Sequence, residues 1–173
     1  LEGQSLVGFD VAVVDLAQPM KILCVIDSLG SGGAQRQMVN LVCGFKSKGH
    51  DVEILIYHPE IDFFRHEVEK AGVPIHEVSK KKGFSLRVVA KLLSLIKSNR
   101  FSVIISFLDA PNIYCELAKA ISISNVNLIV SERGCCISSP SRINRLPHIL
   151  ANKVVANSFS HAKWLRSSMF LKD

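Results

Sequence analysis

The sequence predicts an α/β fold in which a doubly wound parallel sheet of the Rossmann type is covered by helices. Apolar segments of strand length alternate with amphipathic segments of helix length along most of the 173-residue chain. This order is typical of βα units in a parallel sheet. Several apolar segments, such as 22–26 and 103–105, are continuous rather than alternating. Continuous apolar runs indicate strands that are buried on both faces, as in the middle of a parallel sheet.

Each element follows from its own pattern. We predict strands at the short apolar runs, which are 21–27, 51–57, 74–78, 102–108, 127–131 and 153–157. We predict helices at the amphipathic runs, which are 34–48, 61–71, 85–99, 111–122 and 159–170, with a further short helix near 141–152. Three of these helices are expected to end at Gly49, Gly72 and Asn99, because Gly and Asn tolerate the left-handed conformation that closes a helix. Asn112 and Ser158 are candidate N-caps.

Length and composition favour one domain with a substantial core, since 48% of the residues are apolar. No run of 18 apolar residues occurs, so the sequence predicts no transmembrane helix. Segment 1–19 contains three acidic residues and no basic start, which is unlike a signal peptide. We expect it to be an added leader or an upstream extension. The predicted domain then covers residues 20–173.

The cysteines favour a reduced, cytoplasmic protein without a metal site. Their number is odd, at five, and no C-x-x-C pair is present. The histidines show no H-x-x-x-H spacing either. The adjacent pair Cys135 and Cys136 forms a disulfide only with strain, so we interpret it as incidental.

A glycine-rich turn, Ser31-Gly32-Gly33, lies between the first predicted strand and the first predicted helix. Glycines allow a ligand to approach the main chain closely, and the start of a helix favours an anion such as a phosphate. The dinucleotide motif G-x-G-x-x-G is incomplete because Gln35 occupies its third glycine position. The second strand also ends in Tyr57-His58 rather than in an acid, so NAD binding is disfavoured. A tight turn without a ligand remains an alternative.

Ligands of doubly wound sheets bind outside the carboxyl ends of the strands. The polar residues at these ends fall in five segments, which are 27–33, 57–58, 109–112, 132–134 and 157–158. Each segment has an alternative structural role. Asn112 is a candidate cap, His58 a candidate loop residue in solvent, and Glu132 with Arg133 a candidate ion pair.

Three motifs together resemble the family-4 glycosyltransferases of the GT-B fold. M-K-I-L at 20–23 is followed by G-G-A-Q-R at 32–36, where the family commonly has G-G-A-E-R. S-E-R at 131–133 resembles a strand end of the family, and V-V-A-N-S at 154–158 resembles a later strand that precedes a helix. Their order and spacing extend the resemblance from residue 20 to about residue 170.

The resemblance implies one half of a two-domain enzyme. In the family, two Rossmann-like domains face each other across a cleft. The N-terminal domain holds the acceptor, and the C-terminal domain makes most contacts with the nucleotide sugar. This chain resembles the N-terminal, acceptor-binding half, and no E-x7-E motif in the context expected of the C-terminal half follows it. We therefore expect a transferase of glycan or lipid-linked saccharide assembly that uses a nucleotide-sugar donor without a metal or other cofactor. The isolated chain is expected to be inactive.

The same resemblance implies the substrate-binding residues but no catalytic residue. Those expected to line the cleft are Ser31, Gly32, Gly33, Asp109, Asn112, Glu132 and Arg133. An alternative hypothesis is a non-catalytic Rossmann-like module that binds a nucleotide or a sugar phosphate.

The positive charge is concentrated in one segment. The net charge is +6, and seven basic residues with no acidic residue lie between Lys80 and Arg100. The apolar residues of this segment recur at helical spacing, as in a helix that contacts a membrane surface. They are Leu86, Val89, Leu92, Leu93 and Ile96. We predict contact with an anionic membrane surface, on the cytoplasmic face, through Lys80, Lys81, Lys82, Arg87 and Lys91. The alternatives are a sheet-packing helix with a solvated basic face and a docking helix for another protein. Nucleic acid is disfavoured because the basic run shows neither a pattern of interleaved aromatic residues nor a recognition-helix pattern.

Overall fold

A computed structural model describes residues 18–133 and 146–169, and it confirms the predicted parallel sheet. The six strands are β1 (Lys21–Val25), β2 (Asp51–Ile56), β3 (Ile75–Glu77), β4 (Val103–Phe107), β5 (Asn127–Glu132) and β6 (Lys153–Ala156). All neighbouring strands pair in parallel, in the order β3-β2-β1-β4-β5-β6. The strands β1 and β4 lie at the centre, where the continuous apolar runs predicted them.

The five helices of the described residues are α1 (Gly33–Ser47), α2 (Arg65–Lys70), α3 (Leu86–Asn99), α4 (Asp109–Ser122) and α5 (Phe159–Met169). The short helix predicted near 141–152 is a 3-10 helix, Leu146–Leu150. Most of the segment 1–19, Gly134 and the pair Cys135 and Cys136 lie outside the described residues. No helix in the described parts of the chain has the length and apolar character needed to cross a bilayer.

Two apolar layers hold the helices against the sheet. Side chains alternate along β1, so that Ile22 and Cys24 face one layer while Leu23 and Val25 face the other. The first layer contains the buried residues of α1 and α2, and the second contains those of α3 and α4. Because both faces of the central strands are covered, their residues are apolar without alternation.

Two predicted helix ends are confirmed by positive φ angles. Gly49 has φ +86° after α1, and Gly72 has φ +69° after α2. The helix α3 ends at Asn99, and Arg100 adopts the left-handed conformation with φ +48°. Ser158 is confirmed as an N-cap, because its Oγ accepts a hydrogen bond from the His161 amide at 3.2 Å.

The candidate cap at Asn112 is wrong. The helix α4 begins three residues earlier, at Asp109, and Asn112 lies inside its first turn. The reason is the backbone at Leu108, where φ +79° turns the chain from β4 straight into the helix. A positive φ is uncommon for a bulky residue, so this position carries local strain at the edge where ligands of such sheets bind.

Candidate functional site

The glycine turn lies at the carboxyl end of β1 and is exposed to solvent at Ser31, Gly32 and Gly33. Gly32 is the N-cap of α1 without a side-chain hydrogen bond, and the first turn of this helix contains no acidic residue. A Cβ built on Gly33 has no neighbour within 4 Å. The amides at the start of α1 therefore lie at an open surface, where a helix favours an anion.

The turn is held in place by its own side chains. Asp27 Oδ1 accepts hydrogen bonds from the Ser28 amide at 2.7 Å and from Gln35 Nε2 at 2.9 Å. Gly30 is the glycine that close packing requires, because a Cβ there would lie 2.8 Å from Cγ2 of Ile61. The geometry of the turn is thus fixed by packing and hydrogen bonds before any ligand arrives.

Arg133 connects the end of β5 with α1. Its Nη1 donates a hydrogen bond to Gln37 Oε1, and its guanidinium lies 4.0 Å from the ring centroid of Phe107. Its Nε is buried and has no hydrogen-bond partner in the part of the chain that the structure describes. Burial lowers the pKa of this guanidinium, which still remains charged at neutral pH. Arg133 therefore places a partly desolvated cation beside α1.

Asp109 and Asn112 lie on α4 but have different surroundings. Asp109 is the first residue of the helix and is exposed. Asn112 is fully buried, and its Oδ1 accepts a hydrogen bond from Ser106 Oγ at 2.6 Å. Its Nδ2 donates to the carbonyl oxygen of Ser131 at 3.3 Å. Asn112 thus joins β4, α4 and β5 immediately beneath the edge.

Glu132 lies in a buried cluster of acids and imidazoles, which we call the Glu–His cluster. It consists of Glu116 on α4, Glu132 on β5, His148 on the 3-10 helix and His161 on α5. His148 Nδ1 lies 2.5 Å from Glu116 Oε1, and its Nε2 lies 2.7 Å from Glu132 Oε1. His161 Nε2 lies 3.8 Å from Glu132 Oε2.

The carboxylates of this cluster decide the charge of His148. Burial by itself would lower the pKa of His148, but its hydrogen bonds to Glu116 and Glu132 outweigh that effect and raise the pKa to about 9. Burial also raises the pKa of Glu116, against the opposing hydrogen bond from His148. The shift of His148 favours a protonated ring at neutral pH, and the shift of Glu116 likewise favours its protonated form.

A basic loop follows β3 on the same edge of the sheet. It surrounds a cavity of about 450 Å³ that is lined by Ser79, Lys80, Lys81, Lys82, Phe84, Ser85, Leu86 and Arg87. Lys80 Nζ donates to the carbonyl oxygen of Gly83 at 2.8 Å, and the Ser85 amide donates to the Tyr114 hydroxyl at 2.9 Å. Phe84 stacks on Tyr114 with ring centroids 5.1 Å apart. The loop is therefore anchored to the core while its charges face outward.

The apolar stripe of the following helix is used inside the protein. Val88, Val89, Leu92, Leu95 and Ile96 of α3 are buried in the layer shared with α4. By contrast, 74% of Leu86 is exposed, although the spacing placed it in the same stripe. The basic residues Lys80, Lys81 and Lys82 precede the helix. A helix that lies with its apolar face in a membrane is thus excluded, whereas a contact through the loop is not.

The structure therefore divides the predicted substrate-binding residues into two groups. Ser31, Gly32, Gly33 and Asp109 are exposed at the edge, with Arg133 half-buried beside them, whereas Asn112 and Glu132 are fully buried. Their binding roles stay predictions. Sequence reasoning missed Gln37, Glu116, His148 and His161. Only a polar residue within an apolar helical stripe, such as Glu116 between Cys115 and Leu117, could have indicated the buried cluster.

Comparison with known proteins relates the chain to a family. The family described as Glycosyltransferase Family 4 matches residues 31–172. A Campylobacter jejuni protein is 34% identical over 111 residues, which are 58% of this chain and 29% of that protein. It is named GalNAc-alpha-(1->4)-GalNAc-alpha-(1->3)-diNAcBac-PP-undecaprenol alpha-1,4-N-acetyl-D-galactosaminyltransferase.

Solved structures share the fold at low identity. A glycosyltransferase from Rickettsia africae superposes with a TM-score of 0.70 at 19% identity, over 89% of this chain and 41% of that one. The Anabaena protein HepE in complex with UDP-glucose superposes with a TM-score of 0.63 at 20% identity, over 86% of this chain and 40% of that one. The chain thus spans less than half the length of each of these proteins, and it has the fold of one half of a GT-B glycosyltransferase.

Proposed function

The chain belongs to glycosyltransferase family 4, and from this premise we propose that it forms the acceptor-binding half of a nucleotide-sugar-dependent transferase of lipid-linked saccharide assembly. The observation that carries the proposal is the family match over residues 31–172, which includes the glycine turn and Arg133. The name of the Campylobacter jejuni relative supports the choice of acceptor, because it describes a transferase that acts on a saccharide linked to undecaprenol diphosphate.

The exposed edge residues have complementary chemistry for such an acceptor. The amides of Gly32 and Gly33 at the start of α1 are suited to a phosphate or a sugar hydroxyl, and Ser31 adds a hydroxyl donor. The Asp109 carboxylate accepts hydrogen bonds from sugar hydroxyls. Arg133 offers a cation whose Nε is still without a partner among the described residues, which supports a hydrogen bond to an incoming oxygen.

Asn112 and Glu132 have positioning roles in this proposal, because both are fully buried. Asn112 holds the carbonyl of Ser131 and the hydroxyl of Ser106. Glu132 precedes Arg133 and is fixed by His148. Together they set the direction in which the end of β5 presents Arg133.

The donor in this proposal is a nucleotide sugar, which is a substrate, and no metal or organic cofactor takes part. HepE binds UDP-glucose, but the present chain aligns with only 40% of that protein. In the proposal it supplies one wall of the cleft. Because catalysis needs groups positioned around the whole transferring sugar, we expect no turnover by this chain alone.

A peripheral position on the cytoplasmic membrane face is supported by the basic loop. The loop contains exposed Lys81 and Lys82, and the start of α3 adds exposed Arg87. Beside these charges, 58% of Phe84 and 74% of Leu86 are exposed. Cations next to exposed apolar side chains are the combination that binds an anionic bilayer. The Lys80 amide bonds to the Tyr57 carbonyl, and the Tyr57 amide bonds to the Asp27 carbonyl. The loop is therefore on the same edge as the glycine turn, where a lipid-linked acceptor would approach.

The binding proposal is tested by mapping ligands on the chain by amide NMR. The acceptor probe is an N-acetylhexosamine linked to a short prenyl diphosphate, and the donor probe is UDP-N-acetylgalactosamine. We expect the acceptor probe to shift the amides of 31–33, Asp109 and Arg133, and the donor probe to bind more weakly. Arg133→Gln should weaken binding of the acceptor probe by about 10- to 100-fold, because a hydrogen bond to a charged group contributes about 1.5–3 kcal/mol.

Arg100→Gln is the matched control, because Arg100 is exposed at the opposite, amino end of the neighbouring strand β4. It should leave binding of the acceptor probe unchanged. Tighter binding of the donor probe at the same residues would instead favour a non-catalytic nucleotide-binding module. Sugar transfer by the chain alone would contradict the proposal that it supplies only one wall of the cleft.

A further inference from the structure

The Glu–His cluster joins four elements through side chains that are withdrawn from solvent. Glu116 and Glu132 are 0% exposed, His148 is 2% exposed and His161 is 7% exposed. The proposed binding of an acceptor uses the cluster only through Glu132, which precedes Arg133. It stands where the last described segments, the 3-10 helix and α5, meet α4 and β5.

The geometry around His148 requires a definite number of protons. A neutral imidazole has one N–H group and one lone pair, so it donates to one carboxylate only. Yet both ring nitrogens face carboxylate oxygens, at 2.5 and 2.7 Å. Either His148 is an imidazolium between two carboxylates, or it is neutral and one carboxyl is protonated. In both cases Glu116, His148 and Glu132 together hold one proton more than a neutral imidazole with two carboxylates.

We propose that the Glu–His cluster is a pH-operated latch that fastens the 3-10 helix and α5 to α4 and β5 while it holds this extra proton. Without the proton, the lone pair of one ring nitrogen faces a buried carboxylate oxygen. Two buried negative charges then lie around a neutral ring, which is a costly arrangement at this depth. The contact between His148 and its two partners is therefore lost first.

The release is expected to be local. Backbone hydrogen bonds pair β6 with β5, and Asn152 bonds to Leu128 through both its amide and its Oδ1. None of these bonds contains a titratable group. The sheet should therefore keep its pairing, while the 3-10 helix and the start of α5 loosen.

The pKa shifts agree in sign with this proposal. The pKa of His148 is about 9 in the folded chain, above its ordinary value of about 6.5. Stability from the imidazolium is thus fully present below about pH 6.5 and is lost as the pH rises through about 9. The raised pKa of Glu116 acts in the same direction.

Other charged groups on these elements have different surroundings. Lys119 on α4 donates to Asn152, and Arg133 after β5 donates to Gln37. Asp109 on α4, Lys153 on β6 and Lys163 on α5 are exposed. The groups that face His148 are therefore Glu116 from α4 and Glu132 from β5, with His161 of α5 against Glu132.

The test is 15N NMR of the His148 ring in the 173-residue chain, combined with amide hydrogen exchange. At pH 7 we expect two slowly exchanging ring N–H groups, or one ring N–H with a protonated carboxyl. We expect the extra proton shared by His148 and its two carboxylates to be lost above pH 8, with a change in the 15N shifts of the ring. Glu116→Gln should lower that midpoint by about one pH unit or more, because it removes a neighbouring negative charge. Hydrogen exchange in 148–150 and the first turn of α5 should rise through the same midpoint, beyond the rise in α1.

His76→Gln is the matched control. His76 lies on the distant strand β3, and its Nε2 also contacts a carboxylate, that of Glu53 on β2, at 2.6 Å. His76→Gln should leave the titration midpoint and the pH-dependent rise in exchange unchanged. His148→Gln should abolish the titration, and with it the additional rise in exchange of 149–150 and the first turn of α5 through that midpoint. If His148→Gln does not fold, the titration of the unsubstituted chain decides. The proposal would be overturned by a neutral ring with both carboxylates ionised at pH 7. It would also be overturned if Glu116→Gln left the titration midpoint unchanged. Exchange that does not follow the midpoint would overturn it as well.

Discussion

Asn112→Asp is expected to lower the free energy of unfolding by about 3 kcal/mol at pH 7, although the substitution hardly changes the shape of the side chain. The amide of Asn112 donates to the carbonyl of Ser131 at 3.3 Å in a fully buried position. A carboxylate cannot donate, so two oxygens would face each other there and a charge would be buried. Loss of such a partner costs about 1–3 kcal/mol, and the buried charge adds to it.

The pH dependence separates this effect from a simple packing defect. Burial favours the protonated form of the introduced carboxyl, which can donate to Ser131 as the amide does. Its folded pKa is then raised above the unfolded value. The stability of the variant should therefore be closest to that of the parent at low pH, and it should fall as the pH rises through the folded pKa. Urea denaturation at pH 5 and pH 7 measures the difference.

Asn125→Asp is the control for this prediction, since Asn125 is exposed in the turn before β5. It introduces the same charge and should change stability by less than about 0.5 kcal/mol at either pH. An equal loss in both variants would mean that net charge, rather than the buried hydrogen bonds of Asn112, decides the outcome. That result would remove Asn112 from its proposed positioning role.

The parallel sheet could be predicted because its evidence is local in the sequence. Continuous apolar runs mark β1 and β4, and glycines at positions 49 and 72 mark helix ends by a conformation that other residues avoid. The start of α4 could not be predicted in the same way. It depends on a positive φ at Leu108, and a leucine gives no local indication of that conformation.

The candidate site could be predicted in part, for a related reason. The exposed glycine turn is visible as a motif, and the rule that ligands bind at strand ends selects Asp109 and Arg133. The contacts that hold these residues are between distant positions, such as Gln37 with Arg133 and Glu116 with His148. Such pairs are set by the way elements pack, and a single sequence does not contain that information.

The basic segment shows where a periodic pattern misleads. Spacing placed Leu86 in one apolar stripe with Val89 and Leu92, yet the stripe is buried and Leu86 is exposed. Because α3 packs its apolar face against the sheet, this face is buried and cannot contact a membrane. The exposed part is the loop with Lys81, Lys82 and Phe84, followed by Leu86 and Arg87 at the start of α3. These residues combine the positive charge and the apolar surface that our proposed bilayer contact requires.

Replacing Lys81, Lys82, Arg87 and Lys91 with glutamine is expected to abolish the preference of the chain for anionic over neutral liposomes. Each basic residue near an anionic leaflet contributes about 1 kcal/mol, so four of them change partitioning by roughly 500- to 1,000-fold at low salt. Lys80 is left in place because its Nζ holds the loop through the carbonyl of Gly83. Co-sedimentation with vesicles of stated anionic content measures the loss, and added salt should imitate it, since screening acts over about 8 Å at physiological ionic strength.

A variant of equal net charge separates position from charge. Lys48, Lys70, Lys153 and Lys163 are exposed on other elements, and their replacement by glutamine removes the same four positive charges. If the loop is the contact, this control variant keeps most of the preference for anionic vesicles. Equal losses in both variants would mean that only the net charge of +6 attracts the chain. The basic loop would then be a solvated surface, and the edge that we propose for a lipid-linked acceptor would have no membrane contact of its own.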